Sequence, residues 1–164
     1  MIYLGVDPGA AGAIAALDSH GSIISIIDMP TVKVRVGKTD RARVSASMLA
    51  QLFEVDFHAV QIVTLEKVGG ITGQSASAAF TFGYGCGMVE GVLAALRMPV
   101  ALVTPQAWKK SAGLAADKGA ARECAMRLWP SHAHMFARVK DDGRAEAALI
   151  ARHGWLSVQR AVAA

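Results

Sequence analysis

The sequence predicts a single α/β domain whose mixed sheet begins with three antiparallel strands, continues with parallel ones and is flanked by helices. Three observations carry this expectation. The first 27 residues hold three short apolar runs separated by Gly- and Asp-containing turns, the pattern of an antiparallel meander. From residue 60 onward, apolar runs alternate with helical patterns, as crossover connections between parallel strands require. The 164 residues are 53% hydrophobic and 18% charged, a composition that fits one well-cored globular domain.

Taken in order, residues 2–6 form an apolar run stopped by Asp7-Pro8-Gly9, and residues 12–17 and 22–27 follow around a turn at 18–21. Residues 32–36 alternate valine with Lys33 and Arg35, which predicts a half-exposed strand with its cations on one side. Residues 37–43 read as a polar, basic loop. Ser45 is a good N-cap for a short helix carrying Met48, Leu49, Leu52 and Phe53. The unbroken apolar run at 60–65 predicts a strand buried on both faces that delivers Glu66 at its C-terminal end. A flexible loop at 69–73 leads into a long helix over 75–97, a second buried strand over 99–103 and a short helix capped by Thr104. Then come a helix over 118–128, a loop over 129–140 with Pro130, and a final helix opened by Asp142, spanning 144–153 and ended by Gly154. No linker, repeat or low-complexity tract divides the chain.

Bulk properties narrow the function classes. The net charge of +4 is compatible with a nucleic-acid partner. Cys86 and Cys124 lie within predicted helices without a CxxC partner, and they read as buried free thiols of a reducing compartment. Asp7 and Pro8 interrupt the N-terminal apolar stretch, so no signal-type segment is read there. The longest apolar segment, 78–96, carries Glu90 and four glycines, a poor membrane span and a plausible buried helix. A soluble cytoplasmic protein without a membrane partner is therefore expected. The stretch G-Y-G-C-G-M-V-E-G does not fit a phosphate loop, because the glycines miss the GxGxxG spacing and no Walker lysine follows. His58, His132, His134 and His153 are isolated, which argues against a zinc site.

The acids are more informative. Asp7 ends the first strand and Glu66 the fourth core strand, while Asp142 and Glu146 stand four apart on one face of the last helix. Each has an ordinary reading: a turn aspartate, a strand-end surface acid, an N-cap, and a partner for Arg144 or Arg152. The apolar run 147–151 after Glu146 leaves it no obvious solvated face, however. If the two strands are neighbours and the helix crosses their ends, four carboxylates converge and require a cation. Asp141 is the weaker alternative to Asp142. An all-oxygen set selects Mg²⁺, with Mn²⁺ as a substitute, over zinc. About two such ions per site suit phosphodiester hydrolysis.

The motifs G-V-D-P-G at 5–9, L-E-K-V at 65–68 and D-G-R-A-E-A-A-L-I-A at 142–151, in this order, resemble the RuvC family of Holliday junction resolvases. The likeness is greatest to the compact resolvase-like proteins of phages. It also takes in the long helix after Glu66, the V-T-P-Q-A-W-K stretch at 103–109 and the Lys118 helix. The resemblance implies an RNase H-like fold, a homodimer, and Mg²⁺-dependent resolution of four-way DNA junctions by paired symmetric nicks. It further implies that Asp7 bridges two metals, Glu66 holds one, and Asp142 with Glu146 holds the other. By the same likeness the setting is the cytoplasm of a bacterium or a phage-infected host.

This sequence departs from the family pattern twice. Members often place two aspartates, or a histidine and an aspartate, three apart on the last helix, where Asp142 and Glu146 are four apart. Well-studied members also carry a base-stacking aromatic residue after the strand-end glutamate, where this chain has Gly69-Gly70-Ile71.

The candidate DNA contacts form three groups: Lys33, Arg35, Lys38, Arg41 and Arg43; Lys109, Lys110, Lys118 and Arg122; Arg138, Lys140 and Arg144. Such cations supply phosphate affinity without reading sequence, and the plain alternative is a solvated charged face. The resemblance places Lys109 and Lys118 on the scissile strand, where a lysine stabilises developing charge. Ala79, Gly83, Gly87, Gly91 and Ala95 recur every four residues, a stripe that packs closely on the sheet or on a second subunit. The resemblance assigns the homodimer contact to this helix. The expected function is thus a structure-selective endodeoxyribonuclease. A broader flap and Y-fork nuclease and a non-catalytic junction-binding protein are the alternatives. An actin- or Hsp70-type ATPase would need two domains and a phosphate-binding D-x-G-T pattern, and Gly9 is followed here by Ala10-Ala11.

Overall fold

In the computed structural model, which describes residues 1–57, 59–70, 73–114, 117 and 119–163, strand β1 (Ile2–Val6) is the hub of the sheet. It pairs antiparallel with β2 (Ala13–Leu17) and parallel with β6 (Val60–Glu66). Strand β3 (Ile23–Asp28) extends the antiparallel side and β7 (Val100–Val103) the parallel side, giving the order β3-β2-β1-β6-β7. This is the mixed sheet expected from the meander followed by strand–helix alternation.

Side chains alternate between the two faces with the strand period of two. Tyr3, Ala13, Ala15 and Leu17 pack with the last helix, α5 (Asp142–Val162), and with α4 (Ala120–Leu128). Leu4, Val6, Ile14 and Ala16 pack on the other side, against α1 (Ala46–Asp56) and α2 (Ala76–Ala95). Gly5 falls on the α5 face, where a Cβ would collide with the backbone oxygen of Ala147 and the backbone nitrogen of Ala151. Because this position is glycine, α5 lies on β1 in main-chain contact.

The predicted caps are in place. The side chains of Ser45, Ser75 and Thr104 accept from the backbone N–H groups of Met48, Ala78 and Ala107, opening α1, α2 and α3 (Pro105–Ser111). Four local expectations need correction. The basic segment 37–43 is not a loop: β4 (Thr31–Val36) turns at Gly37 (φ 61°) and pairs with β5 (Thr39–Val44) in a separate two-stranded ribbon. Both faces of this ribbon are largely solvated, so β5 lacks the apolar alternation by which strands are read. The 99–103 strand is an edge rather than buried, with Val100 and Leu102 exposed. Residues 130–136 and 139–141 form 3-10 turns rather than loop. Finally, Gly154 does not end α5, which continues to Val162; Gly154 faces Thr64, where any Cβ would strike the threonine Oγ1. The helix expected from residue 118 begins at Ala120 after Gly119, and Lys118 and His58 lie outside the described residues.

Helix α2 has the length and apolarity of a membrane span, and it packs Gly85, Cys86, Val89 and Leu93 onto the domain. All five residues of its small-residue stripe are exposed, so the stripe faces away from the sheet. Cys86 and Cys124 are buried free thiols.

Candidate active site

The parallel register Val6↔Leu65 fixes where the two strand-end acids emerge: Asp7 follows β1 and Glu66 closes β6, side by side at one end of the sheet. Beyond Asp7 the chain reverses tightly. The Gly12 N–H donates to the Gly9 carbonyl oxygen at 2.9 Å, and the Asp7 N–H to the Ala13 carbonyl oxygen at 3.0 Å. The first turn of α5 meets this loop at Gly143, whose absent Cβ would lie 3.2 Å from Asp7 Oδ2 and against the Ala11 carbonyl oxygen. One turn later α5 presents Glu146, 30% exposed.

These acids share one field. Burial, then repulsion from Glu146 and Glu66, pushes the Asp7 carboxyl up to about 7, against weaker opposition from the Gly9 N–H and Lys109. Burial also raises Glu146; Lys109 lowers it, and Glu66 and Asp142 raise it further. A buried carboxylate among carboxylates favours either a proton or a cation.

Three of the acids have a dedicated donor. Trp108 Nε1 donates to Glu66 Oε1 at 2.6 Å. Lys109 Nζ lies 4.0 Å from Glu146 Oε1. Arg122 Nε donates to Asp142 Oδ1 at 2.6 Å, and the Asp142 side chain is 52% exposed at the rim. Asp141, the alternative to Asp142, is buried and serves another purpose. Its carboxylate accepts from the Arg138 guanidinium and backbone N–H, which hold it down to about 2. Arg144 joins this network and donates to Asp28, which it holds below the usual carboxylate range. The structure therefore brings together Asp7, Glu66 and Glu146, sets Asp142 at the edge, and turns Asp141 into an ion-pair latch beneath the helix start. Glu146 pairs with Lys109, not with Arg144 or Arg152.

Among the described residues, no three acid, imidazole or thiol groups close tightly enough to enclose an ion as they stand. The donor chemistry nonetheless fits a hard divalent cation: every candidate ligand is a carboxylate oxygen, and the most buried one lacks a cation of its own. Sequence reasoning missed Trp108 and the Arg122–Asp142 pair. The W-K dipeptide behind the Thr104-Pro105 helix start was the available signal for Trp108.

The basic candidates divide. Lys109 and Lys110 are exposed on α3, Lys109 beside Glu146, and Arg122 is committed to Asp142. Arg138 and Arg144 are engaged by Asp141 and Asp28, so neither is the free phosphate contact expected of it. On the ribbon, cross-strand pairing puts Lys33 and Arg35 on one face and Arg41 and Arg43 on the other. Arg35 pairs with Asp40; among the described residues Lys33, Lys38, Arg41 and Arg43 have no acidic partner. Arg41 and Arg43 line a cavity shared with Pro8 and Ala10 of the Asp7 loop and with Phe82 of α2. On the outward face of α2, Phe80 and Tyr84 are exposed and stacked at 6.1 Å and 17°.

No protein-family model matches the chain and no curated protein matches it. Solved structures do. The structure described as T. thermophilus RuvC in complex with Holliday junction substrate has a TM-score of 0.56 and 15% identity, over 98% of this chain and 96% of that one. A Thermus thermophilus RuvC structure gives a TM-score of 0.52 and 14% identity, over 98% and 97% of the two chains. At this identity the likeness establishes a shared fold over nearly the whole of both chains.

Proposed function

We propose that the chain is a divalent-metal-dependent endodeoxyribonuclease that resolves four-way DNA junctions. The observation that carries this is Asp7, half-buried against Glu66 and Glu146 at the open end of a fold shared with a junction-bound RuvC. Burying mutually repelling acids at a solvent-facing sheet end is unfavourable for stability, and a bound cation is the usual compensation.

Asp7, Glu66 and Glu146 would hold Mg²⁺, with Mn²⁺ able to replace it and Asp142 available at the rim. Bound there, about two such ions per site would supply Lewis-acid chemistry: activation of a water and neutralisation of phosphate charge. The protein's own groups do the rest. Asp7 is fixed by the Gly9 and Gly12 turn and by the close approach of Gly143. Lys109 is poised between Glu146 and solvent, where it can pair with a phosphate oxygen and stabilise charge developing there. Lys110 and the ribbon cations Lys33, Lys38, Arg41 and Arg43 give sequence-independent affinity for the arms. Cleavage leaves a 5′-phosphate.

A homodimer through the outward face of α2 completes the reading. The exposed stripe Ala79, Gly83, Gly87, Gly91 and Ala95 beside Phe80 and Tyr84 is a surface on which two helices can approach closely. Two sites related by a two-fold axis match a substrate with the same symmetry. Exposed Gly69 and Gly70 after Glu66, where an aromatic wedge would stand, favour a second reading in which flaps and Y-forks are also cut. The test is cleavage of labelled four-way, three-way and linear DNA by the parent and Asp7→Asn, with Mg²⁺ or EDTA. Metal-dependent nicking of the four-way substrate, absent in Asp7→Asn, is expected. Cutting in EDTA, or an active Asp7→Asn, overturns the metal site; binding without cutting by the parent favours a junction-binding protein.

A further inference from the structure

We propose that Trp108 is a positioning residue for Glu66: it fixes one carboxylate oxygen so that the other is presented, preset, to a divalent cation. The inference rests on the metal site proposed above. Its geometry is independent of that reading, because the contact links two residues 42 apart in sequence.

Trp108 is fully buried, yet it carries an indole N–H that needs an acceptor. That acceptor is Glu66 Oε1 at 2.6 Å, a short contact for a nitrogen donor. The indole is held from behind. Thr104 and Pro105 start α3, Trp108 lies one turn in, and the Ser111 hydroxyl donates to the Trp108 carbonyl oxygen at 2.9 Å. Ser111 Oγ is also 2.9 Å from His153 Nδ1, which ties α3 to α5. The helix that carries Glu146 thus steadies the helix that orients Glu66. Lys109, the next residue, reaches Glu146 and lies 5.2 Å over the Trp108 ring.

The chemistry of the donor is the point. Arg122 and Lys109 hold Asp142 and Glu146 with full positive charges, which a metal must displace or tolerate. Indole binds Glu66 without bringing a charge, so it can remain in place when a cation arrives. One oxygen is occupied by the N–H and, among the described residues, the other has no hydrogen-bond partner, which would make Glu66 a one-oxygen ligand whose rotamer is set in advance. Groups that orient metal ligands in this way typically contribute about 10–100-fold to metal affinity.

The experiment is a double-mutant cycle of Trp108→Phe and Glu66→Gln, read by calorimetric titration with Mn²⁺. Trp108→Phe should weaken binding about 10–100-fold in the parent and have no further effect in Glu66→Gln. Because truncating a buried indole can cost folding, a second measurement uses the unaltered side chain. The chain has three tryptophans, hence three indole N–H signals in a ¹⁵N–¹H spectrum. The Trp108 signal should lie furthest downfield, shift on Mg²⁺ addition and lose that shift in Glu66→Gln. If the parent binds no divalent cation, the metal reading itself fails. If the parent binds and Trp108→Phe binds equally, or the indole signal ignores Mg²⁺, the positioning role alone is overturned.

Discussion

Near pH 8 in EDTA, replacing Asp7 by asparagine should make the protein more stable, although it removes the central residue of the site. The folded chain pushes the Asp7 carboxyl from 3.8 to about 7. Each pK unit corresponds to about 1.4 kcal/mol, so the ionised carboxylate costs on the order of 4 kcal/mol in the metal-free fold. The sign follows from proton binding. Between about pH 4 and 7 the folded state holds a proton that the unfolded chain has lost, so stability falls as pH rises through that window and the full cost remains above it. Asparagine keeps the shape and the acceptor for the Gly9 N–H and carries no charge. At this chain length about 1 kcal/mol moves Tm by roughly 2–4 °C, so a gain of about 8–16 °C is expected near pH 8, vanishing near pH 4. Saturating Mg²⁺ should reverse the order, because a ligand stabilises only the state that binds it. Scanning calorimetry of both proteins across pH, in EDTA and in Mg²⁺, measures all of this. An Asp7→Asn variant no more stable than the parent in EDTA near pH 8, or a parent indifferent to Mg²⁺, refutes the reasoning.

Further substitutions probe other parts of the molecule. Gly5→Ala drives a methyl into the backbone of α5 and should cost about 3 kcal/mol or more in denaturant unfolding, since neither main chain can yield. Arg41→Ala with Arg43→Ala should weaken binding to all duplex arms alike and reduce the slope of log K against log salt by about two, without changing Mg²⁺ affinity. Gly87 has no atom within 4 Å of its missing Cβ, so Gly87→Glu should leave the monomer fold intact and, in sedimentation, abolish the dimer. A Gly87→Glu protein that still sediments as a dimer would place the subunit contact elsewhere.

What was legible in the sequence follows from the range of the forces involved. β1 and β2 are apolar on both faces and the core of β6 is apolar but for Thr64, so an acid at the end of such a run stands out, and Asp7 and Glu66 could be read as strand-end acids directly. The ribbon could not, because β5 is stabilised by pairing with β4 and carries charges on both sides. Helical spacing correctly placed Asp142 and Glu146 near one line of α5. It did not reveal that the residue facing Asp7 is Gly143, one step of about 100° around the helix from Asp142. Nor could Asp141 be separated from Asp142 without Arg138 and Arg144, which claim Asp141, and Arg122, which claims Asp142. Helix α2, strand β7 and the start of α3 lie between Glu66 and Trp108, and no local pattern announces their bond.

The glycine contacts between α5 and the sheet have a mechanical consequence. At Gly5 and Gly143 the helix meets β1 and its loop with no side chain between, so it has no compressible layer on which to slide or tilt. Asp7 and the first turns of α5 therefore behave as one rigid block, an anvil set by the main chain. On the proposed function, accommodation of DNA would come from parts outside this contact: the exposed Lys109 and Lys110 side chains and the solvated ribbon. If the site acts as proposed, the main-chain contact at Gly5 and Gly143 would set where the scissile phosphate sits, and the solvated cations would set how the rest of the DNA is held.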